Sequence, residues 1–158
     1  MNLTIITKSP EETKNLGKDI SKLVKPGDIL AFYGKLGAGK TCFIQGISLG
    51  LGVKDYVNSP SITIINEYQG KIPIYHFDLF RLDNAADVLE LGYEEYFYGK
   101  GLTVIEWAAK IEQLLPKEHL KIEIKFKDRY QRTISFISQG DRFNKFLEEL
   151  NRIDNFRD

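Results

Sequence analysis

Gly34-Lys35-Leu36-Gly37-Ala38-Gly39-Lys40-Thr41 is the stretch that decides the fold. It fits the phosphate-binding pattern G-x-x-x-x-G-K-[ST]. Its glycines let successive backbone N–H groups turn inward around an anion. Lys40 supplies a positive charge for the β- and γ-phosphates of a nucleotide, and the Thr41 hydroxyl is placed to ligate Mg²⁺. Chance alone produces such a match about once in a few hundred chains of this length, with glycine at about 7% of residues. Context resolves that ambiguity, because the pattern requires a strand before it and a helix after it. Asp28 to Tyr33 reads as a buried strand. Thr41 to Leu51 reads as a helix, with Phe43, Ile44, Ile47 and Leu51 on one face and Gly52 as its stop. Leu36, Gly37, Ala38, Gly39, Lys40, Thr41 and Cys42 are therefore the expected nucleotide-binding set.

Around this loop the chain reads as one domain, residues 1–158. Hydrophobic residues at 42% and charged residues at 28% are ordinary for a globular protein. Lys+Arg and Asp+Glu both total 22, so a strongly basic nucleic-acid binder is disfavoured unless charge is segregated. Cys42 is the single cysteine, which rules out an intrachain disulfide and fits a reducing cytoplasm. It reads as a packing residue, with a redox-sensitive thiol beside the nucleotide as the alternative. No signal pattern and no membrane-length apolar run is present, so no membrane association is expected.

Leu3 to Thr7 is a strand candidate. Ser9-Pro10-Glu11-Glu12 opens a helix, with Ser9 as N-cap and Glu12 completing a capping box. Leu16, Ile20, Leu23 and Val24 form its apolar face. Beyond the loop helix, Ser59-Pro60-Ser61 leads into a β-prone stretch from Ile62 to Tyr68. Gln69-Gly70-Lys71 turns the chain, and Ile72 to Asp78 returns. Asp83 to Leu91 reads as a short helix and Tyr93 to Phe97 as another turn of helix. Leu102 to Ile105 reads as a buried parallel strand running into Glu106-Trp107, and Ala108 to Leu115 as helical until Pro116. Leu120 to Phe126 alternates apolar and polar residues and pairs with Arg132 to Ser138. Gly140-Asp141 opens a last helix carrying Phe143, Phe146, Leu147 and Leu150, and Asn151 to Asp158 reads as a frayed polar end. The expected fold is α/β: a phosphate-loop domain with a parallel core sheet, flanking antiparallel strands and helices on both faces.

Ligands in such sheets bind at the carboxyl ends of the strands. The loop, Asp78 and Glu106 all fall at predicted strand ends. A nucleotide hydrolase needs an acid beside Mg²⁺ and a group to place water. Glu106 ends an apolar strand in the manner of a Walker B acid, and Asp78 ends Ile74 to Phe77. Ser61 and its neighbour Ser59 offer hydroxyls that could sense a γ-phosphate, or form an ordinary turn. His76 reads as a sheet histidine rather than a base. Arg81 reads as a partner of Asp78 or of a phosphate, and Trp107 as packing or a partner contact. ATP is favoured over GTP, because Asn144-Lys145-Phe146-Leu147 lacks the acid of a guanine-reading motif. An acidic stretch, Asp83 to Glu95, and a basic one, Lys117 to Arg132, read as solvated faces or docking surfaces.

Taken in order, Gly34 to Thr41, Ser59-Pro60-Ser61, His76-Phe77-Asp78-Leu79-Phe80-Arg81, Gly92-Tyr93 and Ile105-Glu106-Trp107 resemble the TsaE (YjeE) family. The resemblance runs over nearly the whole chain. It implies a Mg²⁺-dependent ATPase, slow alone, that supports threonylcarbamoylation of adenosine 37 in tRNA. The implied partners are TsaB- and TsaD-like proteins, with tRNA met indirectly through their complex. By position it implies Lys40, Asp78, Glu106 and Ser61 as the catalytic set, with Thr41 and Glu106 on the metal. The chain departs from the family pattern at Lys35, Cys42, Phe80 and Ser61. Ser61 stands where the family has a switch threonine, and Thr63 offers a second hydroxyl nearby. The residues by themselves leave a second reading, a small-molecule kinase using the same loop with Asp78 and Arg81 near the acceptor.

Overall fold

A computed structural model describes residues 1–35, 37–54 and 64–155. Leu36, the Ser59-Pro60-Ser61 segment and Thr63 lie outside the described residues, so the expectations placed on them stay as sequence readings. The elements in chain order are β1 (Asn2–Thr7), α1 (Pro10–Ser21), β2 (Ile29–Tyr33), α2 (Lys40–Gly50), β3 (Ile65–Gln69) and β4 (Pro73–Asp78). The short helices α3 (Ala86–Leu89) and α4 (Tyr93–Phe97) follow, then β5 (Leu102–Glu106) and a 3-10 segment, Ala108–Leu114. The chain continues with β6 (His119–Phe126), β7 (Arg132–Gln139) and α5 (Asp141–Asn155).

The strands form one 7-stranded sheet in the order β1-β7-β6-β2-β5-β4-β3. Pairing is parallel from β6 through β2 and β5 to β4. It is antiparallel at β1–β7, β6–β7 and β3–β4. The parallel centre and antiparallel flanks match the sequence expectation. The strand that feeds the loop, β2, sits between β5 and β6.

All of Ile29 to Phe32 is buried, because both faces of β2 are covered. Leu30 and Phe32 join one apolar cluster with Leu16, Ile20, Phe43, Ile47 and Phe146. Ile29 and Ala31 join a second, with Phe77, Val88, Phe97 and Ile111. Side chains alternate across a strand, so a continuous apolar run feeds two cores at once.

Helix α2 carries the end of the loop, and its position is tightly set. Phe43 meets Phe32 edge-on at 5.5 Å and Phe136 at 6.2 Å. Burying a phenylalanine of this kind contributes about 2–3 kcal/mol. Helices α1 and α2 approach so closely that a Cβ on Gly46 would fall 2.1 Å from the Lys14 carbonyl oxygen. Helix α1 starts at the expected N-cap: the Ser9 side chain accepts from Glu12 N–H at 3.1 Å, whereas the Glu12 carboxylate takes the N–H of Lys8, one residue before the cap.

Several boundaries differ from the sequence reading. Helix α5 continues through Asn155 instead of fraying after Leu150. The helix expected over Asp83 to Leu91 is only Ala86–Leu89. The segment after β5 is 3-10 and breaks at Ile111, where φ is −130° and ψ is 26°.

Candidate functional site

The carboxyl ends of β2, β4 and β5 meet the start of α2. There a cleft of about 260 Å³ is lined by Gly37, Ala38, Gly39, Lys40, Thr41, Cys42, Asp78, Phe80, Glu106 and Trp107. Parallel pairing explains the convergence: Asp78 is the register partner of Glu106 on β4 and β5, and Phe32 of β2 is the other partner of Glu106. Every described residue of the predicted site lines this cleft.

The loop is built to hold an anion. Gly37 and Gly39 have φ of 80° and 111°, the left-handed region where side chains are strained. A Cβ at Gly39 would meet nothing within 4 Å, so its backbone conformation alone demands glycine. Helix α2 begins with no side-chain cap and no acid in its first turn. Its N–H groups and positive dipole end are thus presented to the cleft. Arg132 braces the loop from β7: its Nε donates to the Ala38 carbonyl at 3.0 Å, and its guanidinium stacks 4.3 Å over Phe126.

Lys40 is folded back on the loop. Its Nζ donates to the carbonyls of Gly34 at 2.5 Å and Lys35 at 3.2 Å, and lies 4.0 Å from the centre of the Trp107 ring. Burial pulls its ammonium below the ordinary lysine range, while Glu106 and Asp78 act to hold it up. Carbonyl oxygens are exchangeable partners for an ammonium, so phosphate oxygens can take their place at the same lysine.

Glu106 is only 3% exposed. Its Oε1 accepts the Thr41 hydroxyl at 3.2 Å, and its Oε2 is 2.7 Å from His76 Nε2. Asp78 Oδ1 accepts the Phe80 N–H at 3.1 Å. Burial pushes the Asp78 carboxyl up; the Phe80 N–H opposes this, and the Glu106 charge adds to it. The Thr41 hydroxyl and two carboxylates are hard oxygen donors, the set that suits Mg²⁺. With so few protein oxygens, such an ion keeps positions for phosphate and water.

Cys42 Sγ lies 3.2 Å from the Pro10 carbonyl, and burial pushes its thiol up. That is a packing cysteine tying α2 to α1, not an activated thiolate.

Three contributors were not assigned to the site by the sequence. His76 is fully buried, as a sheet histidine should be, yet it touches Glu106. Strand parity could have shown this, because His76 lies two residues before Asp78 and so on the same face of β4. Trp107 has φ of 63°, the one non-glycine in the left-handed region among the described residues. Such a backbone costs about 1–3 kcal/mol and here turns the indole over Lys40. Arg132 was read only as part of a basic hairpin. Beside the cleft, a second opening of about 750 Å³ is lined by Gly34, Lys35, Trp107, Ile124, Lys125 and Phe126.

Comparison with known proteins bears on the family and the fold. The sequence model of the family described as threonylcarbamoyl adenosine biosynthesis protein TsaE matches residues 7–134. The tRNA threonylcarbamoyladenosine biosynthesis protein TsaE of Bacillus subtilis is 46% identical over 150 residues, covering 94% of each chain. The protein of that name from Treponema pallidum is 34% identical over 120 residues, covering 76% of this chain and 89% of its own. The crystal structure of Bacillus subtilis YdiB superposes with a TM-score of 0.86 at 42% identity, covering 98% of this chain and 97% of that one. By family model, relatives and fold alike, the chain belongs to the TsaE family.

Proposed function

We propose that this chain binds ATP with Mg²⁺ in the cleft, cleaves the bond to the γ-phosphate with water, and thereby serves threonylcarbamoyladenosine formation in tRNA. The observation that carries the reading is the Thr41–Glu106 hydrogen bond across a glycine-lined anion cradle. A binding loop alone fits many tasks. A loop threonine bonded to a carboxylate at the next strand end is the arrangement that holds a nucleotide-bound cation.

Lys40 leaves the Gly34 and Lys35 carbonyls for the β- and γ-phosphates. The backbone N–H groups from Gly37 to Cys42 hold the phosphate oxygens, with Leu36 completing the loop. Thr41 and Glu106 hold the metal side. Mg²⁺, when bound, neutralises charge that develops on the phosphate oxygens. Asp78, with its raised carboxyl beside Glu106, orients the attacking water and can take up a proton. Ser61 is proposed as the hydroxyl that senses the γ-phosphate. The apolar opening formed by Trp107, Ile124 and Phe126 receives the base by stacking.

Among the described residues no arginine lines the cleft, so hydrolysis is slow alone and faster with partners. TsaB- and TsaD-like proteins are the proposed partners, and tRNA is met through them. The test measures phosphate release and modified tRNA together, with the partners present. Wild type produces both, and Lys40→Ala produces neither above background. Transfer of phosphate from ATP to a metabolite, instead of to water, would overturn the reading in favour of a kinase.

A further inference from the structure

Glu106 differs from a shorter aspartate by one more rotatable bond, so a single hydrogen bond from Thr41 leaves its second oxygen free to swing. In this structure that oxygen is taken. His76 Nε2 lies 2.7 Å from Glu106 Oε2, with both side chains buried in the sheet. An ionised carboxylate only accepts, so the hydrogen in this contact belongs to Nε2. The other ring nitrogen, Nδ1, lies 3.4 Å from the Tyr68 hydroxyl, which in turn stands 3.4 Å from Asn66 Nδ2. A Tyr68 hydroxyl that donates to Nδ1 leaves Nε2 its own hydrogen for Glu106. The contacts link three neighbouring strands, from β3 through β4 to the carboxylate on β5. Thr41 closes on the same carboxylate from α2.

We propose that His76 is a positioning residue, whose Nε2–H holds Glu106 Oε2 so that Oε1 stays turned toward Thr41 and the metal side of the cleft. The proposal rests on the nucleotide-hydrolysing reading of the site, and it makes His76 neither a base nor a ligand. Partners that orient a metal-side carboxylate commonly change metal affinity by 10–100-fold when removed. Tyr68 acts one step further out, by fixing which ring nitrogen carries hydrogen.

The test uses the full chain, with Mg²⁺ and ADP as probes. Calorimetry gives ADP affinity across a range of Mg²⁺ concentrations for wild type, His76→Leu and His76→Gln. His76→Leu raises the Mg²⁺ needed for half-maximal tightening of ADP by roughly 10–100-fold. Its ADP affinity without Mg²⁺ stays at the wild-type value. His76→Gln, which restores an N–H donor at a similar reach, recovers most of the loss. A nitrogen-15 spectrum of the free wild-type chain, which has only 2 histidines, needs no variant and reports whether Nε2 carries the hydrogen. A bare Nε2, a folded His76→Leu with wild-type Mg²⁺ dependence, or a His76→Gln as impaired as His76→Leu overturns the proposal. Failure of wild type to bind ADP at any Mg²⁺ concentration would instead overturn the nucleotide reading on which it rests.

Discussion

The Thr41 hydroxyl donates to Glu106 Oε1 at 3.2 Å, joining the first turn of α2 to the last residue of β5. The loop and the strand-end acid are therefore parts of one site even though 65 positions separate them. The hydroxyl can keep donating to the carboxylate while its lone pairs face a cation. Thr41→Val preserves the shape and removes that oxygen. Its ATP hydrolysis falls about tenfold or more, while ADP affinity in the absence of Mg²⁺ changes little. Phosphate release and calorimetry, run side by side, check the two halves of this statement.

Asp78 carries a stability cost. Burial raises its folded carboxyl above the ordinary aspartate value. A raised acid binds its proton more tightly in the folded chain, so its effect on stability is least harmful below the unfolded aspartate pKa. Stability is lost as pH rises through the folded value. Asp78→Asn keeps an oxygen for the Phe80 N–H and removes the half-buried charge. The variant is more stable than wild type at neutral pH, and the gap closes below the unfolded aspartate range near pH 4. Its hydrolysis falls by roughly tenfold or more. Urea midpoints across pH, together with phosphate release, measure this exchange of stability for activity.

Phe126 tests the placement of the base. It lines the apolar opening beside the loop and supports Arg132, which holds the Ala38 carbonyl. Phe126→Ala weakens ATP binding by about 1–3 kcal/mol, the range for loss of an aromatic stacking platform. The dependence on Mg²⁺ stays as in wild type. A triphosphate without a base binds wild type and Phe126→Ala equally, which separates stacking from damage to the loop.

At the opposite end of β2, Arg142 clamps Asp28. Nη2 lies 2.8 Å from Oδ2 and Nε 3.2 Å from Oδ1, and Nη2 also donates to the Leu23 carbonyl at 2.9 Å. Asp28 is 7% exposed, so Arg142→Ala strands a buried carboxylate. It lowers stability by about 2 kcal/mol, below the full cost of a deeply buried pair because Arg142 is itself partly solvated. The urea midpoint reports the loss, and hydrolysis well below the transition is unchanged because the clamp lies away from the cleft.

Much of this was legible in the residues. Ser9 and Pro10 marked the first helix, and the continuous apolar run Ile29 to Phe32 marked a strand covered on both faces. The loop and the strand-end acids Asp78 and Glu106 pointed to one edge of the sheet, and the register partnership of those two acids places them there. What escaped depends on contacts distant in sequence. His76 has the pattern of an ordinary sheet residue until β4 is laid beside β5, and only then does its ring reach Glu106. Trp107 gives no local sign of a left-handed backbone, because aromatic residues seldom adopt it. Arg132 looks like one charge among many along the last hairpin, and its bond to Ala38 follows from the order in which β7, β6 and β2 are stacked. The end of α5 was misjudged because Asn151, Arg152 and Asp154 make the stretch polar, although the helix runs through Asn155.

Glu106→Gln offers the sharpest measurement, since it keeps the shape of the side chain while removing its charge and exchanging one acceptor oxygen for an amide donor. In a reaction holding the chain, its TsaB- and TsaD-like partners, ATP, Mg²⁺ and tRNA, phosphate release and modified adenosine are followed in the same sample. Glu106→Gln is expected to bind ATP, to release phosphate at least about tenfold more slowly than wild type, and to lose repeated rounds of tRNA modification in proportion. Wild-type rates of both phosphate release and modification by Glu106→Gln would contradict the assignment of this cleft as the hydrolytic site.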